Sequence, residues 1–106
     1  MATTTIYGPF NVHNDPPLAV RGTQNSHWTG FTDPDPLKAV GFTATVTAIP
    51  GGSATAILAV TDSSVQIVHD FHGDIDFPSV VIWADVLNDG DVPIADYQIF
   101  ITFVLK

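Results

Sequence analysis

Residues 41–49 have the sequence GFTATVTAI, in which apolar side chains alternate with threonine. The two sets are Phe42, Ala44, Val46 and Ala48 on one parity and Thr43, Thr45 and Thr47 on the other. This period of two predicts a half-buried β-strand whose threonine face is in water. Pro50-Gly51-Gly52-Ser53 follows with the chemistry of a tight turn, so we expect residues 41–49 and 54–61 to form a hairpin.

Further β-segments follow towards the C-terminus. Residues 65–69 predict a strand, and residues 80–87 are apolar on both faces, which is typical of a central strand buried between layers. Trp83 is therefore expected in or beside the core. Residues 97–105 alternate as well, with Phe100 and Val104 making the second face of that strand apolar.

The N-terminal third has weaker signals. Residues 3–12 predict a strand in which Pro9 must sit at an edge or a bulge, because proline cannot donate to a ladder. A short strand is expected at residues 18–21. Residues 22–36 are rich in Gly, Pro, Thr, Asn, Ser and Asp and predict a long, irregular surface loop.

The composition supports an all-β fold. All eleven acidic residues are Asp, which prefers turns and caps to helix interiors, and Val and Thr suit pleated surfaces. Strands of five to nine residues are separated by turn signals, and no helical period or internal repeat is evident. We therefore expect residues 1–106 to form a single antiparallel β-sandwich, of jelly-roll or Greek-key type.

Charge and hydropathy exclude several classes of protein. Three basic residues against eleven acidic ones give a formal net charge of −8, which excludes electrostatic nucleic-acid binding. No apolar run is long enough to span a bilayer, and the start, Met-Ala-Thr-Thr-Thr, lacks a signal peptide's basic and apolar regions. Without cysteine there is no disulfide framework and no thiolate site. A soluble protein is expected, either cytoplasmic or extracellular.

The predicted loop 22–36 combines an indole with short polar side chains, which suits a sugar. A pyranose packs its apolar C–H face on an aromatic ring, and its hydroxyl groups need donors and acceptors. The expected ligand-binding residues are Trp28 as the platform and Asn25, His27, Asp33 and Asp35 as its polar partners. The alternative is that Trp28 anchors the loop to the core.

Two Asp-rich segments are candidates for a metal site, and no organic cofactor is expected. The first includes His72 and Asp74, and the second includes Asp89 and Asp91 beside a flexible Gly90. Imidazole with carboxylate suits zinc, nickel or copper, and carboxylate with carbonyl oxygen suits calcium, so the mixed first segment leaves the metal open, whereas the second suits calcium. In the alternative, both segments are simply turns. They flank opposite ends of the strand around Trp83, roughly 33 Å apart at 3.3 Å per residue, so they should not form one site.

Catalysis has little support, because no Gly-x-Ser-x-Gly nucleophile motif occurs, and no enzyme is expected. Association has more support, since the apolar second face at Phe100 and Val104 needs a cover that a homo-oligomer would supply. The sequence thus predicts a lectin-like β-sandwich that self-associates and binds glycans multivalently. The alternative is a non-enzymatic structural protein that assembles into a homo-oligomer through its apolar C-terminal strand.

Overall fold

The computed structural model describes residues 3–32, 35–52 and 55–106. They form six strands: β1 (Thr3–Leu18), β2 (Thr23–Trp28), β3 (Phe42–Pro50), β4 (Leu58–His72), β5 (Ile75–Asn88) and β6 (Ile94–Leu105). One 3-10 helix, Pro36–Lys38, lies between β2 and β3. No helix in the described ranges is long and apolar enough to cross a membrane.

The strands form two antiparallel three-stranded sheets that share one core, which confirms the predicted all-β architecture of two antiparallel sheets. The first sheet has the order β1-β6-β3 and the second has the order β2-β5-β4. The two strands with the most apolar sequences, β6 and β5, are therefore the central strands. Each is flanked on both sides, so the backbone groups of the most buried segments find ladder partners.

The core lies between the alternating inner faces of the two central strands. The inward residues of β6 are Tyr97, Ile99, Ile101, Phe103 and Leu105, as the alternation of residues 97–105 predicted. Those of β5 are Val80, Ile82, Ala84 and Val86. The threonines of β3 are exposed on the opposite face of the first sheet, as expected.

The predicted hairpin between residues 41–49 and 54–61 is wrong. β3 pairs with β6 in the first sheet, and β4 pairs with β5 in the second, so the chain crosses between sheets after Pro50. Ser53 and Ala54 lie outside the described residues. The turn residues specify a change of direction but not a pairing partner, which is chosen by burial of both inner faces. Asp89-Gly90 likewise joins strands of different sheets, β5 and β6.

The N-terminal predictions are corrected in two places. The first part of the expected loop 22–36 is strand β2, whose side chains alternate between exposed and half-buried as they pair with β5. The expected strand at residues 18–21 is a turn, since β1 ends at Leu18. The placement of Pro9 is confirmed, because β1 is an edge strand and its register shifts between Tyr7 and Phe10.

β4 and β5 form the one connection in which consecutive strands of the described chain pair with each other. Their hairpin turns at Gly73, whose φ of 66° is readily adopted by glycine. β2 pairs with β5 only between Ile82 and Leu87, so the distal part of the hairpin projects beyond the sandwich. The molecule is accordingly elongated, with principal extents of 49 × 35 × 19 Å.

Candidate functional site

Trp83 lies on the outer face of β5 and does not belong to the core cluster. Its neighbours Ile82 and Ala84 point inward and are almost fully buried, so the alternation of the strand turns the indole outward. The indole is half-buried on the surface of the second sheet. The expectation that Trp83 lies in or beside the core is therefore wrong, because within the described residues no second layer covers the outer face of β5 at this position.

Side chains from both neighbouring strands contact the Trp83 indole. His27 of β2 is the register partner of Trp83, and the two ring centroids are 4.6 Å apart with a tilt of 36°. On the other side, the indole Nε1–H donates a 2.8 Å hydrogen bond to Oε1 of Gln66 on β4. These contacts fix the orientation of the ring and create a continuous aromatic surface with His27.

Polar side chains border this aromatic pair. Asn25 donates a 2.7 Å hydrogen bond from Nδ2 to Oδ1 of Asp85. Asp62 of β4 is the register partner of Asp85, so two carboxylates face each other across the strands. We refer to this surface as the Trp83 face, which comprises Asn25, His27, Asp62, Ser64, Gln66, Trp83 and Asp85.

The structure divides the residues expected to bind a sugar. Asn25 and His27 lie together on the Trp83 face, whereas Trp28 points to the opposite side of the same strand. There it packs against the core beside Phe10, with ring centroids 6.5 Å apart. Asp35 caps the 3-10 helix by accepting a 3.0 Å hydrogen bond from the Leu37 backbone N–H, and Asp33 lies outside the described residues.

Parity explains why Trp28 does not share a face with Asn25 and His27. In an extended segment, Trp28 must point away from Asn25 and His27, and the same rule places Trp83 and Asp85 on one face of β5. These signals are present in the sequence. They have meaning only once residues 23–28 are known to be a strand that pairs with residues 82–87.

The first predicted metal segment lies at the tip of the β4–β5 hairpin, where its imidazoles are on opposite faces. His72 Nε2 is 3.1 Å from Asp70 Oδ2 on one face, and His69 Nδ1 is 2.7 Å from Asp76 Oδ2 on the other. Asp74 is in the turn. Within residues 3–32, 35–52 and 55–106, no group of three or more His and Asp side chains is arranged to hold a metal ion.

The second metal segment connects β5 to β6 at the opposite end of β5, as predicted. Asp89 forms an exposed ion pair with Arg21, in which Nη1 of Arg21 lies 2.6 Å from Oδ1 of Asp89. Asp91 lies beside it around a shallow cleft. A guanidinium therefore occupies one of the carboxylates that calcium would need, and calcium at Asp89 and Asp91 stays a prediction.

Asn88, just before this connection, is fully buried. Its Nδ2 donates to the carbonyl oxygens of Leu18 and Val92 at 3.0 and 2.8 Å. Its Oδ1 accepts a 3.1 Å hydrogen bond from the Gly90 backbone N–H. Asn88 thus joins the ends of β1, β5 and the following loop, which is a structural role.

A second buried polar group lies between the sheets. The Tyr97 hydroxyl donates to Oε1 of Gln24, whose Nε2 donates a 2.8 Å hydrogen bond to Oδ1 of Asn14. Burial raises the pKa of the Tyr97 hydroxyl above its ordinary value of 10.0, although hydrogen bonds with Asn14 and Ser26 act in the opposite direction. Ser26 points inward here, and His27 points outward.

The remaining candidate surfaces lie on the first sheet. Phe100 and Val104 are half-buried on its outer face, where Thr47 and Thr43 are their register partners, and association through them stays a prediction. Nearby, a cleft of about 340 Å³ includes an exposed pair between His13 Nδ1 and Asp96 Oδ1 at 2.6 Å. Tyr97 also lines this cleft but is only 2% exposed, so its ring offers no platform.

Comparison of the chain with protein-family models, with curated proteins and with solved structures found no match. The geometry and chemistry of the Trp83 face are therefore the basis for a function.

Proposed function

We propose that this protein binds carbohydrate in a lectin-like way through the Trp83 face. The observation that carries the proposal is the outward indole of Trp83, held between His27 and Gln66 on an open sheet surface. An aromatic ring fixed in this way suits the apolar C–H face of a pyranose, because little side-chain freedom is lost on binding.

The polar border supplies both kinds of hydrogen-bonding group that sugar hydroxyls require. Asn25 and Gln66 carry amide donors and acceptors, Ser64 carries a hydroxyl, and the carboxylates of Asp62 and Asp85 accept only. The two carboxylates oppose each other in the register, which is unfavourable for like charges. Hydroxyl donors that bind beside them would relieve part of this repulsion.

The charge of the face restricts the class of sugar. Two carboxylates border the indole, and the whole chain has a formal net charge of −8. Uronic acids and sulfated sugars would be repelled, whereas neutral sugars would donate hydrogen bonds to the same carboxylates. Neutral glycans are therefore the proposed ligands.

The test is affinity electrophoresis in native gels that contain a neutral polysaccharide, using α-mannan, β-glucan and xylan in turn. Because the protein is acidic, it migrates towards the anode and binding retards it. We expect retardation of the wild type in at least one neutral gel. Trp83→Ala should weaken it at least about tenfold, the effect of losing an aromatic contact of roughly 1.4 kcal/mol.

Trp28→Phe is the matched control, since Trp28 packs inward on the second sheet and should not touch the ligand. It should keep the retardation of the wild type. Loss of binding in Trp28→Phe but not in Trp83→Ala would contradict the proposal. Wild-type protein that migrates freely through every neutral gel would contradict it too.

The competing function is assembly of a structural homo-oligomer, which the sequence placed at Phe100 and Val104. It predicts no retardation in any polysaccharide gel and dissociation of an oligomer by Phe100→Asp. Another part of the molecule favours association more strongly, namely the projecting hairpin of β4 and β5, whose apolar side chains are exposed on both faces.

A further inference from the structure

The projecting part of the β4–β5 hairpin is a two-stranded ribbon. Residues 75–81 of β5 have β4 as their one strand partner within the described chain, because β2 begins to pair only at Ile82. Pairing nevertheless continues without a register shift from Asp62 to His72. Isolated two-stranded ribbons are marginally stable in water, so a ribbon this long gains from additional strands.

The ribbon exposes large apolar side chains on both faces. They are 38–63% exposed: Ile67 and Phe71 on the inner face, and Val68, Ile75 and Phe77 on the outer face. Val65, which pairs with Ile82 just before the ribbon begins, is 46% exposed as well. A solvated ribbon would normally keep at least one face polar. Apolar residues on both faces are typical of a strand pair that is covered or continued by a partner.

The free edge of the ribbon lacks most of the features that protect the other sheet edges. β1 contains Pro9, Pro16 and Pro17 and two register shifts, β2 has six residues, and β3 ends at Pro50. β4 has 15 residues and no proline, and its one register shift lies before Asp62. Its hydrogen-bonding edge from Asp62 to His72 is therefore open to another strand.

We propose that this edge pairs with the same edge of a second copy of the chain, in an antiparallel arrangement around a two-fold axis at Ile67. In this register, a residue that precedes Ile67 by a given number of positions faces the residue that follows Ile67 by the same number in the second copy. Asp62 faces His72 of the second copy, and Asp70 faces its Ser64. The two second sheets become one continuous six-stranded sheet, β2-β5-β4 followed by the same strands in reverse.

Charge complementarity favours this register over one centred on Gln66. An axis at Gln66 would place Asp62 opposite Asp70 of the second copy, and like charges directly opposite each other destabilise a sheet. The axis at Ile67 replaces that contact with an acid–imidazole pair, Asp62 with His72, at each end of the paired segment 62–72. It also brings the two Ile67 side chains together at the centre, with Val65 of each copy facing His69 of the other.

The proposal concerns association alone and does not depend on carbohydrate binding. The test is the molar mass of the full chain in solution, measured by sedimentation velocity at several concentrations. We expect a dimer for the wild type, and at least about a hundredfold weaker association for Ile67→Arg, which places two guanidinium groups at the axis. Ile49→Arg is the matched control, since Ile49 is 47% exposed and Ile67 46%, and it should remain dimeric.

The register is tested by exchange of charge. Asp62→Lys and His72→Asp should each weaken the dimer about tenfold, and the double variant should restore it, while far-UV circular dichroism checks the fold of each protein. A monomeric wild type would overturn the proposal, as would a dimer that persists in Ile67→Arg. If the double variant dimerises no more tightly than the single variants, the proposed register is wrong. If Phe100→Asp dissociates the dimer and Ile67→Arg does not, the interface lies on the first sheet.

Discussion

His27 and Trp83 are register partners on neighbouring strands, and their rings lie 4.6 Å apart on the outer face of the second sheet. Neither residue could be paired with the other from local sequence, since 56 positions separate them. Their contact creates an aromatic surface between Asn25 and Gln66. Substitution of either residue therefore tests whether this aromatic surface binds a ligand.

Replacing His27 with alanine should remove one side of this aromatic surface. We expect retardation by a neutral polysaccharide to weaken by about threefold to tenfold, while His27→Phe keeps most of it. In a Trp28→Phe background, where Trp83 is the sole tryptophan, His27→Ala should also shift the emission to longer wavelength. Binding that is indifferent to residue 27 would show that the ligand does not use the paired rings.

Replacing Asp62 with asparagine should stabilise the protein, because it removes a like charge directly opposite Asp85. The expected gain is about 0.5 kcal/mol in the free energy of unfolding, and it should shrink at high salt. Urea denaturation at two salt concentrations measures both effects. Asp70→Asn is the control, since Asp70 faces Phe77 and contacts His72, and it should not stabilise.

Replacing Asn88 with alanine should destabilise the fold by about 2–4 kcal/mol. The change leaves the carbonyl groups of Leu18 and Val92 and the N–H of Gly90 without their buried partner. Urea denaturation provides the measurement. Asn11→Ala removes an amide whose hydrogen bond with Gln98 is exposed, and its effect should be below about 0.5 kcal/mol. Equal effects of the two variants would refute the role assigned to Asn88.

Replacing Gly90 with alanine should also destabilise the protein, for a steric reason. A Cβ at position 90 would lie 2.7 Å from the Thr55 carbonyl oxygen and 2.8 Å from the Ile57 backbone nitrogen, and backbone cannot move aside easily. Gly41→Ala is the control, because its Cβ would meet nothing within 4 Å. Thermal unfolding should show a lower Tm for the first variant only, and a Gly90→Ala protein as stable as the wild type would contradict this packing.

Tyr97 should make stability depend on alkaline pH. Since burial raises its pKa in the folded protein, the unfolded chain loses this proton first, and the free energy of unfolding falls as the pH rises above about 10. Below that pH the contribution is fully present. Tyr97→Phe should cost about 1–2 kcal/mol at pH 7, where Gln24 loses its donor, but should show a shallower alkaline decline. Urea denaturation of both proteins between pH 7 and alkaline pH measures these effects. If the free energies of unfolding of the wild type and Tyr97→Phe fall in parallel as the pH rises, the prediction is contradicted.

Local alternation was sufficient to predict the strands that contain the core. The period of two in residues 41–49 and 97–105 identified their inward faces, and Pro9 marked an edge, because side-chain direction in a strand depends only on the extended backbone. Residues 23–28 were missed because residues 23–27 are all polar, which leaves no apolar alternation to indicate a strand. Their conformation is imposed by pairing with the apolar strand β5.

The candidate site was only partly accessible from the sequence. Asn25 and His27 were identified, but Trp28 was chosen as their aromatic partner because it is adjacent in the chain. In a strand, residues that are adjacent in sequence point to opposite faces. The aromatic neighbour of His27 is therefore Trp83 of β5. The exposed ribbon was missed for a similar reason, since its residues resemble an ordinary strand until the length of β2 is known.

The amino-acid sequence by itself determined the all-β class, the inward faces of the central strands, the position of Pro9 at an edge and the acidic surface, because each of these follows from local backbone geometry or composition. The tertiary structure alone decided that β3 and β4 belong to different sheets, that Trp83 and not Trp28 faces outward, and that the β4 edge is open. These features depend on which distant segments bury one another's apolar faces, and that choice is a property of the whole chain.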